Sequence, residues 1–261
     1  MLDLFRLDGK VAVVTGSGQG IGRGIALALA DAGADVVVNA RREEDVAETA
    51  RGVKERGRRT LEMAGDIRGE TSERIAAATV SELGRLDIWV SNVGGSDEKG
   101  TQELLSTSDD HFRAQIELNL TTAFQGAKAA ASRMSEGGAI VNIASGAGMR
   151  ASPRTGPYAA AKAGMLNLTE TLAAELAPRA IRVNAVSPGP VPTEAFIEML
   201  DEPDQLADYA AAVPLGRFGT PQDIAAAVVF FASPAASWIT GQNLLVAGGR
   251  THRTLAYGSD D

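Results

Sequence analysis

The sequence has no cysteine and only two histidines, His111 and His252, far apart along the chain. Disulfides and thiolate metal sites are excluded, and an imidazole-based metal centre is not expected. Basic residues are in deficit: 25 Lys and Arg against 33 Asp and Glu leave a net charge of −8. No basic stripe is available for phosphate contacts, so nucleic acid is not an expected partner. No apolar run approaches the ~20 residues of a membrane span. The opening stretch MLDLFRLDGKVAVVTG has no basic region followed by a long apolar run and a small-residue cleavage site. The expectation is a soluble cytoplasmic protein. Fixed-period repeats and low-complexity linkers are also missing.

What is present is an ordinary globular composition, 44% hydrophobic and 22% charged over 261 residues, long enough to bury a sizeable core. Short apolar runs alternate with longer helical patterns. Strands are expected over 10–16, 35–40, 60–66, 85–92, 138–145, 181–189 and 242–249. Helices are expected over 20–33, 43–56, 72–84, 109–134, 158–176 and 220–233. The strand runs are continuously apolar rather than alternating, which implies burial on both faces. Strand and helix in alternation imply a parallel sheet with right-handed crossovers. The expected fold class is α/β, one doubly wound parallel sheet flanked by helices in a single domain over 1–261. Residues 190–219, rich in proline and acid, form the largest insertion between elements, and 250–261 reads as a tail.

Ligands of such sheets bind beyond the carboxyl ends of the strands. The first strand ends in TGSGQGIGR, with glycines at 16, 18, 20 and 22. These permit a tight turn and a close backbone approach to a pyrophosphate at a helix amino terminus. The general G-x-G-x-x-G fingerprint fails at its last glycine in every register; T-G-x-x-x-G-x-G fits. The second strand ends in NARREED. A carboxylate there suits the ribose of NAD, an arginine the 2′-phosphate of NADP. Arg41 and Arg42 oppose the dipole of the helix they open, whereas Glu43, Glu44 and Asp45 suit it. A phosphate gives the arginines a reason; solvated surface charge is the alternative. Asp110 and His111 read as helix-start and surface residues. Trp238, in the turn region SPAASWITG, reads as core or subunit-interface packing.

TGSGQGIG, SNVG (91–94), the Asn of ELNLTT (117–122), Ser145 and YAAAK (158–162) occur in the order found in the short-chain dehydrogenase/reductase family. The stretches 182–189 and 214–249 resemble that family's C-terminal third. The likeness runs from about Lys10 to Gly249, and the chain is similar to the family's 3-oxoacyl-carrier-protein reductases and bacterial hydroxysteroid dehydrogenases. The resemblance implies a Rossmann-type sheet of seven strands and assembly as a homotetramer or homodimer. It puts Asn119, Ser145, Tyr158 and Lys162 in the places of the catalytic tetrad. Cofactor contacts implied in the same way are Gly16, Ser17, Gly18, Gln19, Gly20, Ile21 and Gly22 in the glycine turn, and Arg41 and Arg42 after the second strand. Asp66 and Ile67 would lie at the adenine, Asn92 and Gly94 under its ribose, and Pro188, Gly189, Val191 and Thr193 at the nicotinamide, with Tyr158 and Lys162 completing the set. Three departures stand out: Ser91 and Val93 within the Asn-Asn-Ala-Gly segment, Gln19 where NADP-preferring members often have a basic residue, and Gly146 where a second serine is common.

The residues support an acid–base reading. Tyr158 and Lys162 share one helical face. A phenol titrates near ~10 unperturbed, and a neighbouring ammonium is expected to lower it. Tyr158 then gives a proton to a carbonyl or takes one from an alcohol. Ser145 is placed to hold the substrate oxygen, and by resemblance Asn119 holds a water relaying protons to Lys162. The expected activity is hydride transfer between NADP(H), favoured over NAD(H), and a ketone or secondary alcohol, foremost a 3-oxoacyl group. Hydroxysteroid and sugar or polyol dehydrogenases are alternatives, as is an NADP-binding sensor without turnover. The loops 94–108 and 146–157 and the 190–219 insertion, read as a lid, carry substrate choice. Met149, Phe196 and Met199 are candidate apolar contacts. Arg150 and Arg154 are candidates for an acidic substrate or carrier surface, with solvation the commoner role.

Overall fold

The computed structural model describes residues 1–95, 102–135, 137–193 and 210–250. Strands β1 (Val11–Val14), β2 (Asp35–Ala40), β3 (Thr60–Ala64), β4 (Ile88–Ser91), β5 (Ala139–Ile143), β6 (Arg182–Pro188) and β7 (Asn243–Val246) form one sheet of seven strands, ordered β3-β2-β1-β4-β5-β6-β7. Every pairing is parallel. Helices α1 (Gly20–Asp31), α2 (Glu43–Glu55), α3 (Thr71–Leu83), α4 (Asp109–Ile116), α5 (Thr122–Arg133), α6 (Gly156–Leu176) and α7 (Pro221–Ala232) connect the strands and cover both faces. None is long and apolar enough to cross a membrane among the described residues.

Successive strand side chains point to opposite faces. Ala12, Val14, Val36, Val38, Ile88, Val90, Val141 and Ile143 therefore join one core with Ile25 and Leu29 of α1 and Ile224, Val228 and Phe231 of α7. Their neighbours Val11, Val13, Val37, Trp89 and Ile140 join the other with Ile75 of α3 and Ala127 and Ala130 of α5. Continuous apolar strands are required because both faces are covered. Helix starts follow local chemistry. Thr220 and Asp223 form a reciprocal capping box at α7, with Pro221 in its first turn.

β1 lies between β2 on one side and β4 on the other. The chain therefore winds in opposite directions from this point, opening a crevice at the carboxyl ends of the strands. The expected elements match these to within a few residues. The helix expected over 109–134 is interrupted: α4 and α5 are joined by a π turn at Glu117–Thr121. Arg250, read as the first residue of a tail, is buried at 8% exposure and donates its N–H to Ala247. Residues 96–101, most of the insertion (194–209, with Phe196 and Met199) and 251–261 with His252 lie outside the described residues.

Candidate active site

The turn after β1 is tied to both neighbouring strands. Thr15 Oγ1 donates to the Val90 carbonyl (3.2 Å) and accepts from Asn92 N–H (3.0 Å). Asn92 Nδ2 donates to the carbonyls of Thr15 and Gly16, each at 3.0 Å. On the other side, Ser17 Oγ accepts from Asn39 N–H (3.0 Å). The glycines are needed here for space. A Cβ on Gly22 would collide with the Gly16 carbonyl oxygen and Asn92 Nδ2, and one on Gly18 would lie 2.7 Å from Asp45 Cβ. The N-cap residue of α1, Gln19, makes no side-chain cap bond, and the first N–H groups of a helix are the donors that an anion would meet. Gly20 reaches across to Thr193, whose Cγ2 would stand 3.2 Å from an added Cβ. The cradle fits a pyrophosphate on geometry alone.

Beyond β2 the two arginines part ways. Arg42 binds Asp45 with two hydrogen bonds of 2.7 Å and has Glu44 at 3.7 Å. Arg41 is exposed. Asn39, at the strand end, donates to the Met63 and Gly65 carbonyls and is a structural amide. Arg68 donates from Nε and Nη2 to the two carboxylate oxygens of Asp66 (3.0 and 2.6 Å). Arg68 holds the Asp66 carboxyl below the usual carboxylate range, and Arg41 adds a smaller pull. Ile67 is a core residue at 4% exposure. It backs this corner through packing.

Four side chains converge between β4, β5 and α6. Asn119, on the π turn, is fully buried. Its Oδ1 accepts from Gly95 N–H (2.9 Å) and its Nδ2 donates to the Gly95 carbonyl (3.1 Å). Ser145 follows β5 in extended backbone, its Oγ accepting from Ala147 N–H (3.1 Å). Tyr158, in the first turn of α6, is hydrogen-bonded to Ser145. Lys162, one turn on, is 2% exposed. Its Nζ donates to the Ile143 carbonyl (2.8 Å) and lies 5.7 Å from the centroid of the Tyr158 ring. Gly94 gives this group room: its missing Cβ would fall 2.7 Å from both Asn119 Oδ1 and Lys162 Nζ.

Electrostatically, burial governs the pair. It pushes the Tyr158 phenol above its ordinary value, with the Ser145 hydrogen bond pulling the other way. As a residue Tyr158 is half-buried; its hydroxyl end is the enclosed part. Burial alone pushes Lys162 down to about 7. The expected lowering of the phenol by a neighbouring ammonium is therefore not what dominates in this state, because a lysine that itself titrates near neutrality carries only part of its charge.

At the end of β6, Gly189 N–H donates to Val246 (2.9 Å), Thr193 N–H to Val191 (2.8 Å) and Gly219 N–H to Pro190 (3.0 Å). Pro188 closes the strand and Val191 is buried, so the insertion leaves and rejoins the fold at one place. Met149 Sδ accepts from Asn243 Nδ2 (3.2 Å). Two sequence expectations are corrected. His111 is buried at 6% exposure, because it begins the inward face of α4 that Gln115 and Asn119 continue. Trp238 is 98% exposed, so it is not core within the chain. Sequence reasoning missed Arg68, Gly95 and Gln115. Only Gln115 left a signal, standing four residues before Asn119.

Residues 16–251 match the family model described as Enoyl-(Acyl carrier protein) reductase. The chain is 36% identical over 254 residues to 3beta-hydroxysteroid dehydrogenase 1 of Eggerthella lenta, covering 94% of this chain and 95% of that one. It is 38% identical over 245 residues to the 3-oxoacyl-acyl-carrier-protein reductase FabG of Vibrio harveyi, covering 93% and 98%. It superposes with a TM-score of 0.91 and 34% identity on 7 alpha-hydroxysteroid dehydrogenase complexed with NADH and 7-oxo glycochenodeoxycholic acid, covering 98% and 99%. A single parallel sheet of this order, a glycine cradle at its switch point and a likeness that runs nearly end to end have one reading: the chain belongs to the short-chain dehydrogenase/reductase family, oxidoreductases acting on CH–OH groups.

Proposed function

We propose that the protein is an NADP(H)-linked ketone reductase, foremost of 3-oxoacyl groups, with Tyr158 as general acid and base. The observation that carries this is the convergence of Ser145, Tyr158, Lys162 and Asn119 near the glycine turn that opens α1. When bound, the nicotinamide donates or accepts the hydride. The chain's own part is orientation and proton handling. Ser145 Oγ holds the substrate oxygen. Tyr158 gives its proton to that oxygen in reduction and removes it in oxidation. Lys162, its charge restored when an acceptor faces it, stabilises the phenolate left behind, and Asn119 links Lys162 towards solvent. NADP is favoured because the residue ending β2 is Ala40, the nearby Asn39 amide is engaged, and Arg41 follows in the exposed position. Of the two arginines, Arg41 is the phosphate contact, since Arg42 is held by Asp45.

A second reading is a hydroxysteroid dehydrogenase. Beside Ser145 the wall is Gly146, where an added Cβ would find nothing closer than Leu245 Cδ1 at 3.6 Å. That leaves width for a ring system, and two of the similar proteins are named for steroid oxidation.

One series of measurements tests these readings: NADPH and NADH fluorescence titrations, then turnover on an acetoacetyl thioester, a bile acid and a sugar. NADPH should bind more tightly than NADH, and Arg41→Ala should abolish that difference. Tyr158→Phe should bind NADPH yet turn over nothing. Tight binding without turnover on the whole panel would instead make the chain a sensor, and an active Tyr158→Phe would remove the tyrosine from its role.

A further inference from the structure

Asn119 is held by more than its two bonds to Gly95. Its Nδ2 also donates to the main-chain carbonyl of Gln115 (3.1 Å) and to Gln115 Oε1 (3.0 Å). Gln115 sits in the last turn of α4 and is 2% exposed. A glutamine enclosed this far is costly unless its amide is hydrogen-bonded. Its interior position therefore goes with the bond it makes to Asn119.

The partners around Asn119 are sorted by side. Towards Nδ2 lie three acceptors: Gln115 Oε1, the Gln115 carbonyl and the Gly95 carbonyl. Towards Oδ1 lie the Gly95 N–H and the point, 2.7 Å away, that is also 2.7 Å from Lys162 Nζ. An amide rotated by half a turn would set oxygen against oxygen at Gln115 and turn its own N–H donors towards the lysine. The network permits one orientation.

We infer that Gln115 is a positioning residue of the reaction, its Oε1 locking the Asn119 amide with the oxygen turned towards Lys162. The inference rests on the acid–base reading of Tyr158 and Lys162 proposed above. Oδ1 and Nζ face the same space beside Gly94 without a direct hydrogen bond between them, and a carbonyl dipole oriented near a lysine favours the ammonium over the amine. The groups packed around Lys162 are few. Tyr158 comes from its own helix, Asn119 from the π turn, Gly94 from the end of β4, and the Ile143 carbonyl from β5. The turn 146–149 against α6 carries no ionisable side chain. His111 lies one turn before Gln115 on α4, and Glu117 on the π turn acts on Arg68. Burial is the cause that sets the lysine's titration, so an oriented amide beside it has leverage.

The test follows the titration of Lys162 by NMR on lysine labelled at Cε, in the ligand-free chain and its Gln115→Leu and Gln115→Glu variants, with pH profiles of kcat and KM beside it. Gln115→Leu removes the acceptor. Its Lys162 midpoint should fall by about half a pH unit or more. Its kcat should fall roughly tenfold, a fraction of what positioned acid–base groups contribute, with KM little changed. The alkaline limb of ketone reduction should move to lower pH with the lysine. Gln115→Glu keeps an acceptor oxygen and adds charge, so its Lys162 midpoint should stay or rise. If Gln115→Leu does not fold, Gln115→Asn, whose amide stops short, takes its place. A folded variant with the parent's Lys162 midpoint overturns the inference. So does a loss of kcat with no movement of the pH profile, which marks a merely structural amide. The NMR arm needs no substrate. A chain that reduces none of the ketones offered would sink the proposed activity and leave this result standing by itself.

Discussion

Lys162 is the residue with the largest conflict between fold and charge. It is 2% exposed, and burial brings it from 10.5 to about 7. In the unfolded chain it holds its proton up to the ordinary lysine value. Between about 7 and 10.5 the unfolded state thus binds more protons, and stability rises with pH by up to about 1.4 kcal/mol per unit. Below that window the burial penalty is present in full. Tyr158 is shifted upward from 10.0, so its linkage, of opposite sign, begins near pH 10 at the top of this window and leaves pH 7 to 9 unmasked. Lys162→Met should therefore be more stable than the parent at pH 7 in the ligand-free state, should show a flatter pH dependence, and should be inactive. Urea midpoints at pH 7, 8 and 9 measure this. A variant that keeps the parent's slope would show that the slope arises elsewhere. A lysine that destabilises its own fold, at a candidate active site, fits the trade between stability and function.

At the scale of elements, the β1–α1 turn and the π turn decide the site. Propensity alone favours alanine over glycine by about 1 kcal/mol inside a helix, so Gly22→Ala in α1 reads as stabilising. Packing reverses the sign, because the Cβ meets the Gly16 carbonyl and the Asn92 amide. Overpacking of this kind costs about 1–3 kcal/mol. Gly22→Ala should unfold at lower temperature than the parent and lose dinucleotide affinity, as thermal melts with and without NADPH would show. An unchanged or raised melting temperature would mean that the turn relaxes freely. The π turn at Glu117–Thr121 inserts a residue into an otherwise regular helix, a feature frequent at functional sites. It was not legible beforehand: Asn119 interrupts the apolar face there, but a polar residue on a helix face does not signal a change of hydrogen-bond register.

For the whole molecule, the surface is as informative as the crevice. Trp238 is 98% exposed, Leu105 fully exposed, and Phe124 and Leu244 close to half exposed. Leu244 belongs to β7, the edge strand of the sheet among the described residues. Exposed large apolar side chains and an edge strand mark contact surfaces. Sedimentation should give a dimer or tetramer of the 27.0 kDa chain, and Trp238→Asp should lower that mass. A monomeric parent at working concentrations would refute the assembly.

The strands and most helix boundaries were readable because apolar runs, glycine ends and the Thr220–Asp223 start act within a few residues of one another. So were the candidate site residues, which sit at strand ends or one helical turn apart. The rest depended on groups distant in sequence. Nothing near Arg42 says that Asp45 will hold it and leave Arg41 exposed. His111 looks like a surface polar residue until α4 turns the face it shares with Gln115 inward towards the candidate site. Burial, which sets the protons of Tyr158 and Lys162, is a property of the packed whole. Thus the sequence by itself determined the sheet, the glycine turn and which side chains are candidates for the chemistry, since these follow from local pattern and residue type. Only the tertiary structure decided their protonation, the orientation of Asn119 and the choice between two arginines, because each is set by desolvation and contacts that form when distant segments meet.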